Sequence, residues 1–336
     1  MRPLPDDLPL SQLSIPGTHN SPTYHRALPS VRCQCVSITA QLEHGIRFLD
    51  VRVQVGSSSS SDDEGDPEIA EKELNTDELT LVHGAFPVAL TGAKTFRSVL
   101  ERVREFLAAH ASETIVMSVK REGTGSGTDQ RLSRILAAMT SATDGPRWYT
   151  EGRIPVLSEV RGKIVLVRRF GLDAGATTTC GERGFGIDGS QWVDNAVGDE
   201  VLKGQLCVQD FYDVKEKNMI VKKGSYCEAH LERAAVPGVD LEKRPLFVNF
   251  LSASNLWRTG CWPENIAAKL NPRIVQHLCC THAVTGSGLG SGDEATDRIS
   301  GDCTGIVVCD WIGKEDDWDL AGCIIAMNGM LQLTGR

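Results

Sequence analysis

Eight short, continuous apolar runs recur along this 336-residue chain and restrict the fold that it can adopt. Each run is too short for an ordinary helix, and β-branched residues are frequent in it. Runs that are apolar throughout indicate strands buried on both faces, as in a parallel sheet. They are LSI (13–15), FLDVRVQV (48–55), LTLVHG (79–84), TIVMSVK (114–120), KIVLVRRF (163–170), LCVQDFY (206–212), LFVNFL (246–251) and GIVVCDWI (305–312).

Segments with helical periodicity lie between several of these runs. The clearest is 95–110, where Thr95 is a suitable N-cap and one apolar stripe is formed by Phe96, Val99, Leu100, Val103, Phe106 and Leu107. The others are 37–46, 129–139, 263–278 and 316–331. Eight strands interleaved with helices predict an α/β fold, a (β/α)₈ barrel in a single domain over residues 1–336.

The charge of the chain is unevenly distributed. Residues 57–78 hold nine acids, one lysine and five serines, so they contribute −8 of the net charge of −9. We expect this stretch to be a disordered acidic insertion, and 286–302 to be a similar flexible loop. The remaining residues are nearly neutral, which excludes the basic surface that nucleic-acid binding requires.

The chain has no apolar run of about 18 residues and no secretory signal in MRPLPDDLPLSQLSIPG, so we expect a cytoplasmic protein that does not span a membrane. Its eleven cysteines lack the paired C-x-x-C spacing of a zinc site. Small buried thiols in a reducing compartment are the main interpretation. One or two disulfides within 180–323 are the alternative.

Polar and charged residues follow the strands at the ends that meet on one rim of a parallel barrel. Two histidines, an aspartate able to orient one of them, and three cations suit acid/base chemistry on an anion such as a phosphate. The turns PGTHN and HGAFP favour exposure of the two histidines. The residues at these ends are His19, Asn20, Asp50, Arg52, His83, Lys120, Arg169, Asp210, Tyr212, Asn249 and Asp310.

The chain resembles the phosphatidylinositol-specific phospholipase C X-domain family in eight segments that occur in the family's order. They are LSIPGTHNS, GIRFLDVRV, LVHG, FLAAHASETIVMSVKRE, RGKIVLVRRF, CVQDFYDV, LFVNFLSAS and VVCDWI. The similarity runs from about residue 11 to the C-terminus and is strongest with small bacterial-type members. It implies a distorted TIM barrel of the PLC-like phosphodiesterase type.

The resemblance also implies a reaction, in which the inositol 2-hydroxyl of phosphatidylinositol attacks phosphorus to give 1,2-cyclic inositol phosphate and diacylglycerol. It makes His19 the general base, oriented by Asp310, and His83 the general acid. Arg52 neutralises the phosphate in the transition state.

By the same resemblance, four residues hold the inositol ring. Lys120, Arg169 and Asp210 bond its hydroxyls, and the ring of Tyr212 stacks on its apolar face. The implied partner is phosphatidylinositol in a membrane, with which a monomeric protein associates transiently.

Asn20 departs from the bacterial pattern. Metal-independent members carry aspartate after the first histidine, where it supports the general acid. Calcium-dependent members carry asparagine there as a ligand, which makes Asn20 and Asp50 the alternative calcium ligands. Arg52 stands where a further ligand is needed, and its charge repels a cation. We therefore expect no metal and no cofactor, and a general acid weaker than one supported by aspartate.

Two other functions stay open. One is a phosphodiesterase acting on another lipid or on a glycerophosphodiester, which usually needs a metal near the first histidine, and Arg52 argues against that. The other is a catalytically silent phosphoinositide-binding module, for which the pairing of His19 with His83 would serve no purpose.

Three tryptophans have two interpretations each. In the loop 254–265, Trp257 and Trp262 flank Arg258, an arrangement suited to insertion at a membrane interface. The alternative is that they pack against the following helix. Trp192 is equally open.

Overall fold

The computed structural model describes residues 1–56, 79–125, 127–142, 145, 147–173, 184–236, 244–282, 303–329 and 331. The expected insertion at 57–78, the expected loop at 286–302 and Cys180 lie outside the described residues.

Twelve strands form one mixed sheet in this part of the chain. They are β1 Ile15–Thr18, β2 Phe48–Val55, β3 Leu79–His83, β4 Phe86–Pro87, β5 Ile115–Arg121, β6 Trp148–Tyr149, β7 Ile164–Arg169, β8 Ile187–Asp188, β9 Val197–Leu202, β10 Leu206–Gln209, β11 Leu246–Phe250 and β12 Ile306–Cys309. The main path runs β6-β7-β5-β2-β1-β12-β11-β10-β9, and β6 through β10 along it are paired in parallel.

The sheet curves as a distorted barrel that stays open. Among the described residues no pairing joins β7 or β8 to β9 or β10, and β9 runs antiparallel to β10. The predicted α/β barrel is thus confirmed in its distorted form, and all eight predicted strands are present. The first strand begins at Ile15 rather than at Leu13.

The third predicted strand differs from the expectation of a parallel barrel. β3 pairs with β2 antiparallel, with Val53 opposite Leu81 and Val55 opposite Leu79. β2 is eight residues long and extends beyond the rim, and β3 folds back along it. Continuing the register brings His83 back to the level of the rim.

Seven α-helices occur in the described residues, and they are α1 Ile38–Glu43, α2 Phe96–Ala109, α3 Asp129–Ser141, α4 Leu157–Val160, α5 Lys217–Ala235, α6 Pro263–His277 and α7 Asp319–Ala326. The apolar stripe of α2 is buried as predicted. Thr95 is its N-cap, but the Thr95 side chain makes no capping hydrogen bond, contrary to the prediction.

Sequence periodicity does not indicate α5, the longest helix described. Its buried face includes Lys223 and His230, which interrupt the apolar stripe on which such a prediction depends. Lys223 is accommodated because its ammonium group donates to Oε1 of Gln209 at 3.0 Å.

Two apolar layers occupy the two faces of the strands, as continuous apolar runs predict. One layer fills the barrel, with Phe48, Val116 and Phe250 among its members, and the other packs the outer face against the helices. Every second residue of β2 therefore points into the barrel. In order from the apolar interior to the polar rim, these residues are Phe48, Asp50 and Arg52.

No disulfide joins any two of the ten cysteines of the described residues, and six of the ten are buried. Burial is thus confirmed for six of them, the reducing compartment stays a prediction, and the disulfide alternative is wrong for every pair among the ten. No described helix combines the length and the apolar character that a membrane crossing requires.

Candidate active site

A cavity of about 380 Å³ opens at the rim where the parallel strands end. Its walls contain seven of the strand-end residues, together with residues next to strand ends and with the segment that follows β8. The lining residues include His19, Arg52, His83, Lys120, Glu122, Arg169, Trp192, Asp194, Asp210, Tyr212, Ser252 and Ser254. Six predicted site residues other than His19 thus meet in one place: Arg52, His83, Lys120, Arg169, Asp210 and Tyr212.

Three cations stand in one row on adjacent strands. Arg52 of β2 is in register with Lys120 of β5, and Lys120 is in register with Arg169 of β7. Residues in register on parallel strands point to the same face, so the row faces the cavity. It offers positive charge to an anionic ligand.

His19 and Asp310 are neighbours because β1 and β12 are. Thr18 is in register with Cys309, and the residue after each forms the pair. Nδ1 of His19 lies 2.9 Å from Oδ1 of Asp310, so the neutral ring donates its Nδ1–H to the carboxylate and turns Nε2 toward the cavity. Burial, together with the charge of Arg52, lowers the pKa of His19 well below its usual value. His19 is therefore a neutral base at pH 7.

Local backbone geometry fits the motif that precedes this pair. Gly17 is required because a Cβ there would lie 2.8 Å from Cβ of Phe48 on the adjacent strand. Asn20 has a φ of 42°, a left-handed conformation that asparagine and aspartate tolerate better than most residues.

Asn20 does not contact His83. Its backbone N–H donates to Oδ2 of Asp50 at 3.2 Å, and its Nδ2 lies 3.3 Å from Nε2 of His19. Its Oδ1 is buried and has no hydrogen-bond partner in the described structure. Asn20 lies behind the cavity wall and acts on the first histidine rather than on the second.

His83 is supported instead by the segment before α1. Its Nδ1 donates to the carbonyl oxygen of Val31 at 2.7 Å, and Sγ of Cys33 lies 3.6 Å from the same nitrogen. The rings of His83 and His19 face each other edge-on, with centroids 5.5 Å apart. Burial and the charge of Arg52 lower the pKa of His83, so it loses its proton at lower pH than an ordinary histidine does.

Arg52 is held between two carboxylates. Its Nη2 lies 3.0 Å from Oδ2 of Asp50, and its Nη1 lies 2.9 Å from Oε1 of Glu122. Lys120 and the backbone N–H of Gly84 also donate to Glu122, each at 2.8 Å. Burial alone would raise the pKa of Glu122, but Arg52 and Lys120 lower it to about 2. Both carboxylates are therefore ionised and fix the guanidinium at the cavity wall.

This arrangement does not fit calcium. The guanidinium of Arg52 bridges the two carboxylates that a cation would need, and Asp50 also accepts from Asn20 and lies 3.5 Å from Arg169. Calcium requires six to eight oxygen ligands. Asn20 and Asp50 offer fewer oxygen ligands than calcium needs, because Arg52 already occupies the space between Asp50 and Glu122.

The part of the cavity wall around Arg169 suits a polyhydroxylated ring. Arg169 is stacked on Trp192, with its Cζ 3.8 Å from the ring centroid, and its Nε and Nη1 have no hydrogen-bond partner in the described structure. Burial raises the pKa of Asp210, 3.8 Å from Arg169. The hydroxyl of Tyr212 donates to Asp194 at the cavity mouth.

Two strand-end residues have other roles. Asn249 is buried between Gln209 and the carbonyl oxygen of Cys227, away from the cavity. Arg168 points to the side opposite Arg169 and pairs with Asp188 at 2.7 Å. Both positions are structural.

The loop after β11 exposes one of its tryptophans. Trp257 is 89% exposed, whereas Trp262 donates its indole N–H to the carbonyl oxygen of Leu256 and begins α6. The indole of Trp262 is thus tied to its own loop, while its packing against the following helix and the contact of Trp257 with a membrane interface both stay predictions.

The chain is similar to bacterial enzymes along most of its length. Residues 7–170 match the family model described as phosphatidylinositol-specific phospholipase C, X domain. The 1-phosphatidylinositol phosphodiesterase of Listeria monocytogenes is 27% identical over 314 residues, covering 86% of this chain and 78% of that protein. The enzyme of the same name from Staphylococcus aureus strain Newman is 27% identical over 301 residues, covering 83% and 82%.

A solved structure shares the fold. The phosphatidylinositol-specific phospholipase C of S. aureus superposes with a TM-score of 0.68 at 24% identity, covering 96% of this chain and 95% of that one. A distorted TIM barrel is thus common to both.

Proposed function

The chain belongs to the phosphatidylinositol-specific phospholipase C X-domain family, and we propose that it cleaves phosphatidylinositol to diacylglycerol and 1,2-cyclic inositol phosphate. The observation that carries this proposal is the pair of imidazoles of His19 and His83, which face one cavity beside the three-cation row. An intramolecular displacement at phosphorus needs a base, an acid and positive charge, and these residues provide all three.

In this reaction Nε2 of His19 removes the proton of the inositol 2-hydroxyl as the oxygen attacks phosphorus. Asp310 keeps the ring in the required tautomer and stabilises the imidazolium that forms. The bond from phosphorus to the diacylglycerol oxygen breaks, and His83 protonates that oxygen. Arg52 balances the charge on the non-bridging oxygens.

The inositol ring would be held by the part of the wall around Arg169. Arg169, whose Nε has no hydrogen-bond partner in the described structure, bonds the ring hydroxyls together with Lys120 and Asp210. The half-exposed ring of Tyr212 covers the apolar face of the inositol. We propose that the enzyme acts from the cytoplasmic side, at membrane surfaces. The lack of disulfides among the described cysteines supports this proposal.

We propose that the reaction needs no metal, since Arg52 already supplies the charge between Asp50 and Glu122. When the protein is incubated with phosphatidylinositol vesicles in excess chelator, it should release inositol 1,2-cyclic phosphate. Phosphorus NMR detects this product. Activity that appears only when calcium is added would contradict metal independence. Release of a different phosphodiester product from other lipids would favour the alternative substrates, and binding without turnover would favour the silent module.

Asn20→Asp tests the departure from the bacterial pattern. Because kcat/KM falls on the alkaline side as His83 loses its proton, the lowered pKa of His83 shifts this fall toward acid pH. A carboxylate at position 20 would raise the pKa of both histidines and move the whole profile to higher pH. The left-handed conformation at this position accepts aspartate, so the fold should be preserved.

The measurement is the pH dependence of kcat/KM for the two proteins. We expect higher turnover by the variant at pH 7 if Asn20 limits the general acid. An unchanged profile would mean that the Val31 carbonyl already gives His83 sufficient support.

A further inference from the structure

Three side chains with nitrogen or sulfur ligand atoms converge at the base of the cavity. One ligand atom each from His19, Cys33 and His83 lie within 4.8 Å of one another, and no second group of this kind occurs among the described residues. Cys33 is fully buried and has no part in the proposed reaction.

We propose that His19, Cys33 and His83 form a zinc site, so that Zn²⁺ binds in the active site and inhibits the enzyme. The inhibition rests on the proposed function, whereas the binding does not. The site differs in place and in ligand type from the calcium alternative, which would use oxygen ligands from Asn20 and Asp50.

The ligand types select the metal. Two imidazoles and one thiolate are a typical set for Zn²⁺, with the fourth position left for water or a phosphate oxygen from the cavity. Magnesium and calcium prefer oxygen ligands and are not expected to bind. A tetrahedral zinc ion holds nitrogen and sulfur ligands about 3.3–3.6 Å apart. The three ligand atoms already lie within 4.8 Å of one another, so side-chain movements of about 1 Å would close the site.

The surroundings of His19 already suit coordination. Its Nδ1 is held by Asp310 at 2.9 Å, which leaves Nε2 as the ligand atom and reproduces the carboxylate–histidine–metal arrangement of many zinc sites. The contact between Nε2 and Nδ2 of Asn20 is 3.3 Å long and would be given up. His83 would bind through Nδ1, the nitrogen 3.6 Å from Sγ of Cys33, and would give up its hydrogen bond to Val31.

The charge balance also permits the ion. The thiol of Cys33 loses its proton to the buffer on coordination, so that Zn²⁺ and one thiolate together carry a single positive charge. Arg52 opposes this charge, but Asp310 lies behind His19, and Asp50 and Glu122 neutralise the guanidinium. Bound zinc would occupy the lone pair that His19 needs as a base and would keep His83 from carrying a proton.

Cobalt reports binding without reference to activity. Titrating Co²⁺ into the full, reduced chain should give a thiolate-to-cobalt charge-transfer band at one equivalent, and Zn²⁺ should abolish it. Cys33→Ser should lose the band. The matched control is the double variant Cys279→Ser/Cys323→Ser, because Cys279 and Cys323 are a second thiol pair, with sulfurs 3.7 Å apart and outside the cavity, and this variant should keep it.

X-ray absorption at the zinc edge covers the case in which Cys33→Ser does not fold. The wild-type protein with one equivalent of Zn²⁺ should show one sulfur at about 2.3 Å and imidazole nitrogens at about 2.0–2.1 Å. No charge-transfer band, a band lost only in the Cys279/Cys323 control, or a spectrum without sulfur would each overturn the site.

Activity on phosphatidylinositol vesicles then tests inhibition. Zn²⁺ should inhibit the wild type reversibly, and Cys33→Ser should need roughly tenfold more Zn²⁺ or more for half-inhibition, relative to its own metal-free rate. A cobalt band with no inhibition of an active enzyme would overturn the inhibitory role alone. An enzyme without turnover on this lipid would contradict the proposed function and leave the cobalt result to decide the site.

Discussion

Replacing His19 with alanine should lower kcat on phosphatidylinositol by about 10²–10⁴-fold, the contribution typical of a positioned general base. The expected size follows from the geometry, because Nδ1 is held by Asp310 and the lone pair of Nε2 faces the cavity. The matched control is His44→Ala, which removes an exposed histidine stacked on Trp318, remote from the cavity, and should leave the rate unchanged.

A substrate analogue separates the base from the acid. With a nitrophenyl ester of inositol phosphate, the leaving oxygen departs without needing a proton, so His83→Ala should recover most of its rate, whereas His19→Ala should not. The initial rate of nitrophenolate release measures both. Recovery by His19→Ala instead would exchange the two roles, and a fully active His19→Ala would remove this residue from the mechanism.

Much of the fold could be predicted because burial on both faces leaves a direct record in sequence. Continuous apolar runs located all eight main strands, and the rule that parallel strands end at one rim brought together most of the site residues. The antiparallel direction of β3 could not be predicted, because an apolar run is the same for a parallel and an antiparallel strand. The length of β2 beyond the rim also depends on its pairing with β3. Helix α5 could not be predicted from periodicity, because Lys223 interrupts the apolar residues on its buried face.

The site could be predicted less completely than the fold. Glu122 is not predicted from the sequence, although it lies two residues after Lys120 and directly follows β5, where the strand's period of two would have placed it on the same face. Val31 and Cys33 were not accessible by such reasoning, because they lie on an irregular segment and contact His83 only through tertiary packing. The contact of the Asn20 side chain with His19 was not accessible either, because it also depends on tertiary packing.

Replacing Arg52 with glutamine should lower kcat by about 10²–10³-fold, the cost of removing one pre-positioned group that stabilises transition-state charge. Although burial by itself lowers the pKa of Arg52, Asp50 and Glu122 raise it, so the group is a permanent cation at the wall. The glutamine variant also removes the guanidinium from Asp50 and Glu122, although Arg169 and Lys120 remain near them, so it should destabilise the fold by up to about 3 kcal/mol.

Arg52→Lys separates these two effects. Lysine restores a positive charge near Asp50 and Glu122 but lacks the planar fork that bridges them at 3.0 and 2.9 Å. We therefore expect the melting temperature to recover more than the rate does, with kcat still well below that of the wild type. Arg102→Gln, which breaks an exposed pair with Glu105 on α2, is the control for loss of an arginine elsewhere. If Arg52→Lys regained full activity, charge alone would suffice, and the geometry of the guanidinium would have no catalytic role.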